Sequence, residues 1–144
     1  MANMLAFSMR TEKVVTQSRS QVVDVTPLVA RYVANLPMTD GHVVAFVPHT
    51  TAGITINENA DPDVKADVLR KLDALIPKSE GYYQHAEGNS DSHLKTIMTG
   101  TSVTIFVDRG RLVLGRWQGV WFCEYDGPRD RQLLLKAFGN VVPE

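Results

Sequence analysis

Three of the chain's four histidines sit in polar, turn-like segments. His49 lies in Pro48-His49-Thr50-Thr51, at the end of an apolar stretch, and His85 and His93 bracket Glu87-Gly88-Asn89-Ser90-Asp91. Imidazole both binds metals and moves protons near neutral pH. Three imidazoles converging from separate segments suit zinc or a similar transition ion. Glu87, Asp91, Glu58 and Asp61 offer carboxylates as ligands or as acceptors that orient a ring. The spacing H-x-E-x-x-x-D-x-H is no standard zinc motif, so a polar loop whose histidines only hydrogen-bond accounts for the same residues. His42, beside Asp40-Gly41, reads as an ordinary surface residue.

Other groups offer anion chemistry. Hydroxyls and backbone N–H groups in Thr50-Thr51-Ala52-Gly53 can cradle a phosphate, or the threonines can simply cap a turn. Asn57 and Glu58 place polar groups where a strand leads into a helix. Asp61 reads more simply as that helix's cap. Arg109, Arg111, Arg116, Arg129 and Arg131, with Lys95, fall near the later strands, and an arginine fork matches phosphate oxygens. Of these, Arg129 stands in a defined turn, Asp126-Gly127-Pro128-Arg129, close after Glu124.

The elements that must position these residues follow from periodicity. Short strands are expected over residues 7–11 and 21–25. Thr26-Pro27 opens a helix, with Leu28, Val29, Tyr32, Val33 and Leu36 at helical spacing and Pro37 as its end. Residues 42–47 and 54–57 read as strands. Asp61-Pro62-Asp63 starts a second helix, whose stripe runs through Val64, Val68, Leu69, Leu72, Leu75 and Ile76 to Pro77. Residues 78–92 form the longest irregular stretch, closing in a short helix from about Asp91 to Thr99. Strands are then expected over 103–107, 111–114, 118–124 and 132–138. The class is α+β: a compact, mixed, sandwich-like sheet of about eight strands with two main helices. Alternating residues of 118–124 are apolar on both faces, so Glu124 needs a buried partner: an arginine, a metal or a neighbouring subunit.

The totals narrow the class. A chain of 144 residues suits one domain spanning 1–144, able to bury roughly 68–70% of its unfolded surface without disulfide or metal. A net charge of −1 argues against a nucleic-acid partner. No stretch has the apolar length of a membrane span. The single cysteine, Cys123, lies in an apolar run and reads as a small buried hydrophobe. Without a basic n-region or signal h-region at the N-terminus, the expected compartment is the cytoplasm.

The segments His49-Thr50-Thr51-Ala52-Gly53, Asn57-Glu58-Asn59-Ala60-Asp61-Pro62, His85-Ala86-Glu87-Gly88, Ser92-His93-Leu94-Lys95, Gly115-Arg116-Trp117-Gln118-Gly119 and Glu124-Tyr125-Asp126-Gly127-Pro128-Arg129 occur in one order. Over residues 7–139 this pattern resembles the YjbQ family, also known as UPF0047, whose members are described as secondary thiamine-phosphate synthases. The resemblance implies a homotrimer with sites near subunit boundaries, and the coupling of a hydroxymethylpyrimidine diphosphate to a thiazole phosphate with release of diphosphate. Carried onto this sequence, the candidate metal ligands are His49, His85 and His93. The catalytic candidates are Glu58, Glu87, Asp61 and Arg129, and the substrate or phosphate contacts Thr50, Thr51, Asn57, Lys95 and Gln118. Three imidazoles suit zinc better than magnesium, which prefers oxygen ligands, although magnesium fits the diphosphate chemistry. The same site also admits metal-assisted hydrolysis with Glu58 or Glu87 as general base, or a non-enzymatic trimer that binds a metabolite or metal.

Overall fold

The computed structural model describes residues 4–141. Alternating apolar residues build two antiparallel sheets. The larger contains β1 (Met4–Ala6), β2 (Arg10–Val15), β4 (Met38–Phe46), β6 (Ser102–Asp108), β7 (Arg111–Leu112) and β9 (Asp130–Val141). It runs in the order β1-β9-β4-β6-β7, with β2 also paired to β9. The smaller runs β3 (Gln21–Asp24), β8 (Gln118–Glu124), β5 (Ala52–Glu58). The class is therefore the expected α+β. Among the described residues there are nine strands and three helices.

Local differences have local causes. The first expected strand divides: Phe7 lies between β1 and β2, which take separate halves of the long β9. β4 begins at Met38, before the expected start at residue 42, with a register shift between Met38 and Asp40 that lets the strand run through Asp40-Gly41. β9 outruns its expectation at both ends because its partners span its whole length.

The helix α1 (Thr26–Ala34) buries Val29, Tyr32 and Val33. Its start is held by Asp24, whose Oδ1 accepts from the Thr26 N–H at 3.0 Å and from the Thr26 hydroxyl at 2.6 Å. The helix α2 (Pro62–Leu75) is capped by Asp61, which accepts from the Asp63 N–H at 2.9 Å. Its Val64, Val68, Leu69 and Leu72 pack on Trp121, Cys123 and Tyr125. The third helix, α3 (Ser90–Thr99), lies against β5. Gly53 permits this approach, since a Cβ there would stand 2.5 Å from the Gly100 carbonyl oxygen.

The main core lies between the sheets, with Val43, Ala45, Ile54, Val120, Phe122, Leu133 and Leu135 buried. β8 is covered on both faces, as its sequence requires. Val120 and Phe122 face this core, and Trp121 and Cys123 face α2. Truncating Phe122 to alanine would cost about 3–5 kcal/mol. Among the described residues nothing covers the opposite face of the large sheet at Phe46 and Phe106, which are exposed, and His42 stacks on Phe138 with ring centroids 5.4 Å apart.

Candidate functional site

Residues 47–51 carry the chain from the large sheet to the small one. The Val47 N–H donates to the Thr101 carbonyl at 2.8 Å, and the Thr51 carbonyl accepts from the Tyr125 N–H at 3.1 Å. These two bonds fix the segment that presents His49 and Thr50. The segment before α3 brings His85, Glu87 and Asn89, α3 itself brings His93, and the turn after β8 brings Asp126 and Arg129. All of them, with Thr51 and Arg131, line one cavity of about 450 Å³. The three histidines thus converge. A second cavity of about 450 Å³ shares His49, Thr50 and His93 and is continued by Thr96, Ile97, Gly100 and Thr101.

His49 has a defined protonation. Its Nε2 accepts from the Gln132 backbone N–H at 2.9 Å. Burial and the nearby Arg131 guanidinium push its pKa below the ordinary histidine value, partly offset by Glu124. The ring is therefore neutral near pH 7, with its proton on Nδ1 free to donate. In this orientation the ring's one lone pair is taken by the Gln132 N–H, and a metal would reach His49 only by displacing that bond. His85 and His93 lie edge to face with centroids 5.4 Å apart, and His85 Nε2 is 3.9 Å from Glu87 Oε2. Among the described residues no three His, Cys, Asp or Glu side chains are gathered as a metal cluster. In donor type, His85, His93 and Glu87 suit a transition ion, whereas the set of three imidazoles does not form while His49 holds Gln132.

Beneath the cavity floor runs a buried ionic network. Arg131 donates through Nε to Glu124 Oε1 at 2.8 Å, and its NH2 group reaches Glu124 Oε2 and the Thr51 hydroxyl. The Thr16 hydroxyl and the Asp126 N–H also donate to Glu124, at 2.7 and 3.0 Å. Burial opposes ionisation of Glu124, but these donors outweigh it and hold the pKa below the usual carboxylate value. Arginine is thus the partner this glutamate required. Arg129 donates to the Asp126 carbonyl and carboxylate at 2.8 and 3.1 Å, with its guanidinium half-exposed at the cavity.

Several sequence candidates lie elsewhere. Lys95 is buried on the inner face of α3, where Nζ donates to Asp73 at 2.6 Å and to Asp91 at 2.9 Å. It is spent on structure and does not reach the cavity. Asp91 also takes both arms of the Arg19 guanidinium. Asn57, Glu58, Asp61 and Gln118 stand at the far end of the small sheet, with Glu58 opposite Gln118. Glu58 lies at the far end of β5 from Thr51, roughly 23 Å along the strand. Asn57 accepts from the Glu58 N–H at 2.8 Å, Gln118 accepts from the Gly115 N–H at 2.7 Å, and Asp61 caps α2. Within one chain, these four are not in the histidine cavity.

Asn89 and Asp126 were not among the expected site residues. Asn89 is 5% exposed and donates to Asp126 Oδ2 at 2.8 Å. Both residues lay inside quoted motifs, but a distance across 37 positions has no signal in periodicity.

The chain matches the family described as UPF0047 protein YjbQ-like over residues 10–140. It belongs to that family. Among UPF0047 proteins, it is 44% identical to YugU of Bacillus subtilis over 91% of this chain and 99% of that protein. It is 48% identical to MJ1081 of Methanocaldococcus jannaschii, over 87% of this chain and 90% of that protein. A crystal structure of a YjbQ/UPF0047 protein from Clostridium acetobutylicum superposes with a TM-score of 0.87 at 48% identity, covering 89% of this chain and 98% of that one. A YbjQ-like protein of unknown function from Sulfolobus solfataricus gives 0.89 at 28% identity, covering 95% and 99%. The UPF0047 fold is thus shared along nearly the whole length of these relatives.

Proposed function

We propose that the three-histidine cavity is the active site of a metal-dependent enzyme acting on small phosphorylated metabolites, with thiamine-phosphate synthesis as the named candidate reaction. One observation carries this reading: imidazoles from segments up to 44 positions apart in sequence line a single cavity with Thr50, Thr51 and Arg129. In the candidate reaction the bond from the pyrimidine methylene carbon to the diphosphate oxygen breaks, a bond to the thiazole nitrogen forms, and diphosphate leaves. The leaving group needs its charge neutralised. His49 Nδ1–H and the Thr50 hydroxyl supply donors, and the exposed arm of Arg129 supplies a cation. A divalent transition ion would be held by His85, His93 and Glu87, and when bound it would supply Lewis-acid neutralisation.

We also place this chain in a homotrimer. The exposed Phe46 and Phe106 on the open face of the large sheet support an apolar interface there, and β9 brings Gln132 from that sheet to His49. Light scattering of the purified protein would return about three times the chain mass of 16.0 kDa.

The deciding experiment measures thiamine-phosphate formation and diphosphate release by the metal-loaded protein and by His93→Ala. Turnover lost in the variant supports the reading. Diphosphate released without coupling would assign hydrolysis instead. If the loaded wild type retains no metal and turns over neither substrate, the reading is abandoned.

A further inference from the structure

The second cavity of the site has a wall that the proposed function does not use. His93, Thr96 and Ile97 stand at i, i+3 and i+4 on α3, so they share one stripe of the helix. They line this cavity with Gly100, which ends the helix, beside His49 and Thr50. The wall is fixed and its polar groups are engaged. The Thr96 hydroxyl donates to the Ser92 carbonyl at 2.9 Å, the Gly100 N–H donates to the Thr96 carbonyl at 2.8 Å, and the Gly100 carbonyl accepts from the Ile54 N–H at 3.0 Å. Among the described residues no Asp, Glu, Lys or Arg lines it, whereas Glu87, Asp126, Arg129 and Arg131 line its neighbour. Ile97 is 77% exposed, so its side chain is open to a ligand and adds little to the core.

We propose that Ile97 is the specificity-determining residue of the site: its cavity takes an uncharged apolar ring joined to the phosphoryl group that sits beside Arg129. The inference rests on the proposed function for the phosphoryl end. Both reactants of the candidate reaction carry a ring, and Arg129, Thr50 and His49 account only for the phosphate. The two cavities meet at His49, Thr50 and His93, so one small molecule can span both. At about 450 Å³ the apolar one lies within the usual range of small-ligand sites, about 300–1,000 Å³. A ring laid on the Ile97 side chain removes apolar surface of both from water, which supplies affinity in proportion to the area covered. A charged group on that ring would find no partner there and would lose its hydration. The site therefore separates its tasks, with charge met at Arg129 and apolar shape met at Ile97.

The test uses benzyl phosphate and methyl phosphate, which carry the same head group, titrated calorimetrically into the full-length protein at about pH 8, where both are dianions. The wild type should bind benzyl phosphate about tenfold more tightly or better. Ile97→Ser should reduce that preference to about threefold or less, with methyl phosphate affinity changed by less than about twofold. Ile97→Leu, which keeps the apolar surface, should retain it. Because Ile97 is exposed, both variants should melt close to wild type. Equal affinity of the two probes for wild type overturns the inference and leaves the phosphoryl reading standing. A ring preference undiminished in Ile97→Ser, or an equal fall for both probes in that variant, overturns the role of Ile97. Binding of neither probe overturns this inference and the phosphoryl reading together.

Discussion

Arg131 of β9 and Glu124 of β8 form a buried ion pair between the two sheets, and the same guanidinium holds the Thr51 hydroxyl below the histidine cavity. Fold and site therefore share one residue. Arg131→Ala leaves a carboxylate uncompensated in the interior and should cost about 3–5 kcal/mol. Urea unfolding of the variant measures this, and a loss under 1 kcal/mol would show the pair to be dispensable.

Acid should release the same network. Glu124 and Asp91 each titrate below their ordinary values: burial opposes their charge, and donors from Arg131 and Thr16, or from Arg19 and Lys95, overcome it. A depressed folded pKa means the unfolded chain binds protons first. The stabilisation is complete above the unfolded values near 4.5 and 3.8 and is lost as pH falls through the lower folded values. Unfolding free energies from pH 6 down to 3 should decline. A flat profile would contradict the assignment.

His49 titrates the same way. Its folded pKa lies below 6.5, so its contribution is present above that value and lost on acidification. Nitrogen-resolved NMR should show a neutral ring protonated on Nδ1 at pH 7, with a midpoint below 6.5. A ring protonated on Nε2 would exclude the bond from Gln132 and leave Nδ1 open to a metal.

Burial pushes the Cys123 thiol up to about 12. Ellman's reagent should leave the native protein untouched over hours and label one thiol per chain in denaturant. Fast native labelling would show that the α2 side of β8 opens.

Lys95→Met should behave as a stability variant. It removes one of the two cations on buried Asp91, leaving Arg19, and should lower the unfolding free energy by about 1–3 kcal/mol, with phosphate-probe affinity in the folded fraction unchanged within about twofold. Glu58→Gln, at the far rim, should leave turnover within about twofold of wild type. A large loss for Glu58→Gln would bring that rim to the cavity from another subunit.

The α+β class, the main helices and most strands were legible because their apolar spacing is local. Asp61 capped α2 as its sequence position implied, and Glu124 announced its need for a partner by standing in an apolar strand. Convergence of His49, His85 and His93 was legible only as a suspicion raised by residue type. What was not legible was the use each polar side chain makes of its neighbours. Nothing in Ser92-His93-Leu94-Lys95 shows that Lys95 turns inward to Asp73, since that depends on how α3 meets α2. His49 accepts from a backbone N–H 83 positions away, a partner that no local pattern announces. Glu58 and Thr50 flank one strand, and strand length alone separates them.

β9 is shared by β1, β2 and β4, and it supplies Arg131 to the interior and the Gln132 N–H to His49. During synthesis the ribosome delivers it after every other described strand. Until then three strands wait without their common neighbour, and their apolar sides are open to chaperones or to aggregation. Folding and assembly of the site should therefore complete in one late step. A chain halted before Asp130 would carry all three site imidazoles and have nothing to arrange them around.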